Sequence, residues 1–418
     1  MPTALPGRAL AALCALLTLL AFAPPASAAG DTAPATGPAA RTADRGTLVR
    51  AERLFTEPSP AAVAGGLTAL GFRSDTVRHG VDAYRLVYRT VDAHGRPTTA
   101  SGLLTLPHGR FGRLRPVSFT HGTELHRADA PSADPRGFTG AAPVTYAAAG
   151  FAGVAPDYLG LGSGPGTHPW MDLPSETTAA LDMLRAARRF APLTGRLLGR
   201  EVLVTGFSQG APAALGLGRA LHGGADRWFR LGALAPVSGA YALRDAEIPA
   251  LLSGRVPPPN SVFFTAYALV SFDRVYDVYA TPGEVFRAPY ARTVEDLFDG
   301  THTWEELARA TPGTLGELLT PHGRDLLSRP RGGLAEALRA ADRSCTGWAP
   351  RAPLRLYLTG GDEQAVEANT AHCRAAFRAS GTSAGVVDLG PVEWRGSRHF
   401  GSHVAALSEI VRWFRSLR

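Results

Sequence analysis

Ten residues constrain this chain more than any other stretch: 201–210, EVLVTGFSQG. Val202, Leu203 and Val204 make a short run of β-branched and aliphatic side chains, the pattern of a strand buried on both faces. Gly206-Phe207-Ser208-Gln209-Gly210 follows at once and reads G-x-S-x-G. Residues 211–221 are then rich in Ala and Leu, with Pro212 in the first turn, where a helix accepts it. Strand, tight turn and helix in that order place a serine on a sharp bend, and its flanking glycines let strand and helix approach closely. The bend lifts the hydroxyl clear of the sheet edge, near the positive end of the helix. Ser208 is therefore the candidate nucleophile.

Arg8, the apolar run 9–22 and Ala26-Ser27-Ala28 have the charge, length and small-residue site of an export leader, cleaved after Ala28. About 14 apolar residues are too few to span a bilayer, and stable membrane insertion is not expected. The 43 basic residues outnumber the 36 acidic ones, for a formal charge of +7. Every basic residue is Arg, scattered without a run of five, so nucleic-acid binding is not expected. The absence of Lys excludes Schiff bases, a pyridoxal phosphate anchor, a Walker-A lysine and a Ser–Lys dyad. There is no C-x-x-C, no H-E-x-x-H and no His/Cys cluster at ligand spacing, so neither a metal nor another cofactor is expected. Cys14 would leave with the leader. Cys345 and Cys373 remain, and two thiols in an exported chain suggest one disulfide.

Residues 29–45 read as a flexible N-terminus, rich in Ala, Pro and Thr. Strand-like runs at 81–88 and 99–106 flank the turn Asp92-Ala93-His94-Gly95 and form a hairpin. Further strands are expected at 116–120, 151–155, the run before Ser208, 231–237, 354–359 and 386–394. Helices are expected at 175–189, capped by Ser175, and at 403–417. A hairpin followed by alternating strands and helices is an α/β layout with a mostly parallel sheet flanked by helices. The interval between Val237 and Leu354 is far too long for a crossover and carries its own apolar segments. We read 239–348 as a helical cap over the carboxyl ends of the strands, dividing a core made of 46–238 and 349–418. A helix running back from Asp362 would bring Cys373 to the starting end of the 354–359 strand, near Cys345.

A serine nucleophile needs a base, and the base needs a carboxylate to hold its tautomer. On an elbow of this kind the chain order is Ser, acid, His. Asp362 follows two glycines at the end of the strand after the cap, with Glu363 expected to point away; a helix cap is the other use of Asp362. For the base, His399 lies in the loop after the last strand, whereas His403 opens the final helix and is the alternative. His121 is tied to its own loop and His372 lies inside a helix. We assign His399.

In these stretches the chain resembles the α/β-hydrolase superfamily, and within it bacterial secreted lipases and esterases of the lipase-A-like secretory type. The resemblance rests on residues 84–107, His121-Gly122-Thr123, PDYLGLG at 156–162 with His168-Pro169 beyond it, GFSQG and the GGD ending at Asp362. It covers nearly all of the chain after the leader, and Ala211 departs from it where many relatives carry Gly. It implies an α/β-hydrolase fold and an acyl-enzyme mechanism on a small-molecule or lipid ester. Oxyanion donors would be the N–H groups of Gln209 and of Gly122 or Thr123, with Asp157 the alternative in the lipase-A type. Phe263, Phe264, Tyr267 and Phe272 of the cap would line an acyl pocket above Ser208, with Tyr158 and Phe207 also contacting substrate. PDYLGLG fails the dinucleotide pattern, because Pro165 stands where the third Gly would be. Two rival functions stand beside this one. A serine aminopeptidase would use Asp273, Glu284 or Glu295 to hold an amine, and a non-catalytic binding protein would keep only the fold. Acyl length, alcohol group and oligomeric state are left open.

Overall fold

The computed structural model describes residues 44–417. The segment read as a leader and the stretch to residue 43 lie outside them. Arg45, at the end of the stretch read as flexible, is paired with the buried Asp182 at 2.9 Å.

Among the described residues eleven strands form: β1 Leu48–Glu57, β2 Val81–Val91, β3 Pro97–Pro107, β4 Gly112–Leu114, β5 Pro116–Thr120, β6 Ala152–Pro156, β7 Arg196–Leu198, β8 Glu201–Phe207, β9 Arg230–Val237, β10 Arg355–Leu358 and β11 Gly385–Asp388. Nine of them make one sheet in the order β1-β2-β3-β6-β5-β8-β9-β10-β11, and β4 pairs with β7 apart from it. The hairpin is β2–β3, paired from Val81↔Pro107 to Val91↔Pro97 around a turn in which Gly95 has φ +78°. β1 adds an antiparallel edge strand not foreseen from the sequence. From β6 to β11 the neighbours run parallel.

Both faces of the sheet are covered, which is why β8 is apolar without alternation. Val202 and Val204 pack with residues of helices Leu173–Phe190 and Gly210–His222, whereas Leu203 packs with those of Ala141–Ala148 and Arg398–Ser416. This is the mostly parallel, helix-flanked sheet of an α/β-hydrolase. The first of these helices starts at Leu173, capped by Asp172 through Ser175 N–H, so Ser175 is inside it rather than its cap.

Between β9 and β10 the chain is helical, including Ile248–Ser253, Asn260–Tyr276, Trp304–Ala310, Pro321–Ser328 and Gly332–Ala341. Its apolar cluster also contains Leu125, Trp170 and Met171, from the segments that follow β5 and β6, so this unit sits on the carboxyl ends of those strands. Among the described residues, no helix is long and apolar enough to cross a membrane. Cys345 and Cys373 are joined in a disulfide, with Cα atoms 5.2 Å apart.

Candidate active site

The bend after β8 is as tight as its sequence requires. Ser208 has φ +55°, a left-handed conformation rarely adopted by a residue with a side chain. A Cβ on Gly206 would come 2.1 Å from the Gly210 carbonyl oxygen, and one on Gly210 would come 2.0 Å from that of Thr120. Only glycine fits at either place. Ser208 N–H donates to Val237 of the neighbouring strand, and Ala211 N–H to Ser208, so the bend is tied on both sides.

The loop after β10 and the first turn of the last helix converge on this serine. The Ser208 hydroxyl is 2.8 Å from His399 Nε2, and His399 Nδ1 is 2.8 and 2.9 Å from the two Asp362 oxygens. A carboxylate only accepts, so Nδ1 carries the proton and Nε2 is left to accept from the serine. Asp362 Oδ1 also accepts from Gln364 and Ala365 N–H, each at 2.9 Å. Burial pushes the Asp362 carboxyl up, but the charge and hydrogen bond of His399 and these two N–H groups more than offset it. The carboxyl is held below its ordinary value. Capping its loop and facing the histidine are thus uses of the same carboxylate.

His399 is not in a loop. The last helix begins at Arg398, and β11 ends at Asp388 rather than near Trp394. Ser397 caps the helix through Phe400 N–H, and Glu363 anchors it, accepting from Ser397 Oγ and from Arg398 and His399 N–H. His399 thus sits in a first turn pinned by the residue next to Asp362. Glu363 makes no hydrogen bond to the imidazole ring, yet it sets the position of the helix that carries it. His403 lies one turn on, 3% exposed, stacked on Phe207 and on Phe119 with centroids at 4.6 and 5.5 Å. Burial, helped by the charge of His399, pushes its pKa down to about 3, so it packs as a neutral ring.

The N–H groups of Gln209, Gly122 and Thr123 donate to no backbone carbonyl. Gly122 runs against the elbow, where an added Cβ would lie 3.1 Å from the Phe207 ring and 3.5 Å from Ser208 Cβ. The Gln209 side chain is clamped from behind. Its Nε2 donates to Glu176 at 2.7 Å and to His168 Nε2 at 2.8 Å, while His168 Nδ1–H donates to Leu159 carbonyl. Burial lifts Glu176 to about 8 and lowers His168 to about 3. His168 gains a physical role by this contact, and Glu176 gave no sequence signal, being one acid on a long helix.

Several assigned residues lie elsewhere. Two cavities meet at Ser208, an outer one of about 320 Å³ that His399 also lines and an inner one of about 40 Å³ under the cap. Asp157 is fully buried and accepts from Ser132 N–H and from the Ser101 and Ser132 hydroxyls, and it lines neither cavity. It ties down the PDYLGLG turn rather than serving as an oxyanion donor. Tyr158 is fully buried, stacked on His168 at 5.4 Å with its hydroxyl on His121 carbonyl, so it backs the His121–Thr123 loop and lines neither cavity. Tyr267 is held between Trp170 and Phe298 and donates to Glu124 carbonyl, again outside both cavities. Phe207, Phe263 and Phe264 do line the outer cavity, and Phe272 an inner one. Asp273, Glu284 and Glu295 line neither, whereas Glu124 and Glu247, which the sequence did not single out, each line one. Among the described residues no group of three or more His, Cys, Asp or Glu could hold a metal ion.

No family model matches the chain, and no curated protein sequence matches it. Solved structures do. The rice cell wall degrading esterase LipA from Xanthomonas oryzae is similar at 28% identity and TM-score 0.79, over 89% of this chain and 98% of that one. Candida antarctica lipase A is similar in fold, at 14% identity and TM-score 0.61, over 84% of this chain and 77% of that one.

Proposed function

We propose that this chain, whose fold is that of the α/β-hydrolases and which is similar to esterases and lipases, cleaves carboxylic esters through a Ser208–His399–Asp362 triad. The observation that carries this reading is the unbroken line of contacts from Asp362 through His399 to the Ser208 hydroxyl, each at 2.8–2.9 Å. Ser208 attacks the ester carbonyl while His399 Nε2 takes its proton, and Asp362 stabilises the imidazolium that forms. The tetrahedral oxyanion is met by the N–H of Gln209 and an N–H of the Gly122–Thr123 loop, donors already in place before reaction. His399 then protonates the leaving alcohol, and water hydrolyses the acyl-enzyme by the same route in reverse. The leader-like N-terminus and the disulfide support an exported enzyme.

Ser208→Ala tests the mechanism. Turnover of p-nitrophenyl esters should fall by about three orders of magnitude or more, since the oxyanion donors alone remain. A fluorophosphonate should label wild type once, at Ser208. Labelling at another serine, or turnover undiminished in the variant, overturns the assignment.

A further inference from the structure

Of the two cavities at Ser208, only the outer one is lined by His399. In acyl transfer the histidine returns the serine proton to the leaving alcohol, so the alcohol half of an ester lies on the side of His399. At about 320 Å³ the outer cavity has room for a small-molecule group, and Phe138, Phe263, Phe264 and Trp304 give it an aromatic wall. No arginine lines it, although the chain carries 43 basic residues. Burial holds two of its imidazoles neutral, pushing His121 down to about 4 and His403 to about 3. Among the described residues Glu124, next in the chain to Thr123, is the one acid in this wall.

The side chain of Glu124 is what meets this space. Its carbonyl is turned aside, accepting from the Tyr267 hydroxyl at 3.3 Å, and Tyr267 lines neither cavity. No protein donor reaches the carboxylate, yet neither of its oxygens is sealed off from solvent. The residue stays partly exposed, although protein surrounds the carboxyl closely enough that desolvation pushes its pKa well up. Accessible surface on a group so enclosed opens into a cavity rather than onto the outside of the molecule, and the outer cavity is the one Glu124 lines. The charges of Asp129 and Asp134 push the carboxyl in the same direction as burial, and no cation of the protein opposes them. Asp82 and Asp182, by contrast, are buried against Arg196 and against Arg45 and Arg185.

A neutral alcohol in the outer cavity would leave the mutual repulsion of these three acids unrelieved. A cation there offsets all three, favours the ionised form of Glu124 and is attracted by the faces of aromatic rings. Resting on the ester-hydrolase reading, we propose that the outer cavity takes an alcohol half carrying a cationic ammonium group, held by the carboxylate of Glu124 against the aromatic wall. Glu124 is then a specificity-determining residue that selects amino-alcohol esters, and it takes no part in the proton transfers at Ser208.

The test compares butyrylcholine with 3,3-dimethylbutyl butyrate, its uncharged carbon isostere, and with 2-hydroxyethyl butyrate, on wild type, Glu124→Gln and Glu124→Leu. Each kcat/KM is divided by the rate of that ester's alkaline hydrolysis, which removes differences in leaving-group reactivity. In wild type the normalised value for butyrylcholine should exceed that for the isostere by about fivefold or more. A smaller ratio overturns the inference. Both substitutions should bring the two values to within about twofold of each other, since each removes the negative charge and keeps the cavity. A preference for butyrylcholine that survives both overturns the assignment to Glu124. If the hydroxyl ester gives the highest of the three values, the cation assignment falls. All of these results leave ester hydrolysis standing. If no ester is turned over, p-nitrophenyl butyrate included, and Ser208 takes no fluorophosphonate, the ester-hydrolase reading falls and this inference with it. The wild-type ratio decides the matter even where neither variant folds.

Discussion

His399 and His403 occupy successive turns of one helix and share a neighbour in Phe207, yet their surroundings assign them opposite parts. His399 has a carboxylate on one nitrogen and the Ser208 hydroxyl on the other. His403 has aromatic faces and no hydrogen bond, and burial disfavours its charged form. His399→Ala should therefore lower kcat on a p-nitrophenyl ester by about 10³-fold or more, the scale of losing a triad base. His403→Phe keeps an aromatic ring between Phe119 and Phe207 and should stay within about threefold of wild type, since no proton passes through it. The opposite ranking in steady-state assays would make His403 the base. From the sequence these two residues were separable only by an argument that placed His399 in a loop. That argument chose the residue that meets Ser208 for a reason the structure does not support, because capping by Ser397 starts the helix before His399.

At the scale of elements, the site is an agreement among the ends of β5, β8 and β10 and the start of the last helix. Glu363 ties two of these together by accepting from Ser397 Oγ and from the N–H groups of Arg398 and His399. Glu363→Ala leaves those donors without their acceptor and should cost about 1–2 kcal/mol of stability. It should also lower kcat by about tenfold with KM little changed, because the imidazole is held less firmly and the substrate cavity is untouched. Glu363→Gln, which still accepts, should recover most of both. Urea melts beside Michaelis curves read the two effects separately; a stability loss with kcat intact would leave the tether a structural role alone. The expected strands were placed to within a few residues wherever an apolar run was short and bounded by Gly or Pro, as at β5 and β8. The stretch after β11 was read as strand through Trp394, but Trp394 Nε1 donates to Leu70 carbonyl and its ring packs on Phe138, contacts with the far end of the chain.

Across the whole molecule, the disulfide clamps the strand that leads to Asp362. Cys345 precedes β10, Cys373 lies on helix Ala368–Ala379, and both sulfurs are buried in the core below the sheet. Closing a loop of sequence separation 28 should stabilise the fold by about 3–4 kcal/mol on the chain-entropy account. Intact mass of protein recovered from culture medium, before and after reduction, should show no titratable thiol in the untreated material and a mature chain lacking the leader. The melting temperature should then fall with reductant. Two free thiols in untreated protein would mean no bridge forms, and an uncleaved N-terminus would count against export.

The sequence by itself determined the elbow, the selection of Ser208, Asp362 and His399 in that chain order, the α/β layout and the break where the long helical stretch enters. These are local statements: a buried strand declares itself by unbroken β-branched residues, and a bend with glycine on both sides of a serine admits few conformations. Only the tertiary structure decided the rest. It turned Tyr158 and Tyr267 inward, took Asp157 into a serine cluster, set Glu176 and His168 behind Gln209, and brought Glu124 and Glu247 to the two cavities. Which side of a loop meets the substrate depends on what packs against its other side. Here those partners come from cap helices and strands far away in the chain, and no spacing within a motif encodes where they will lie.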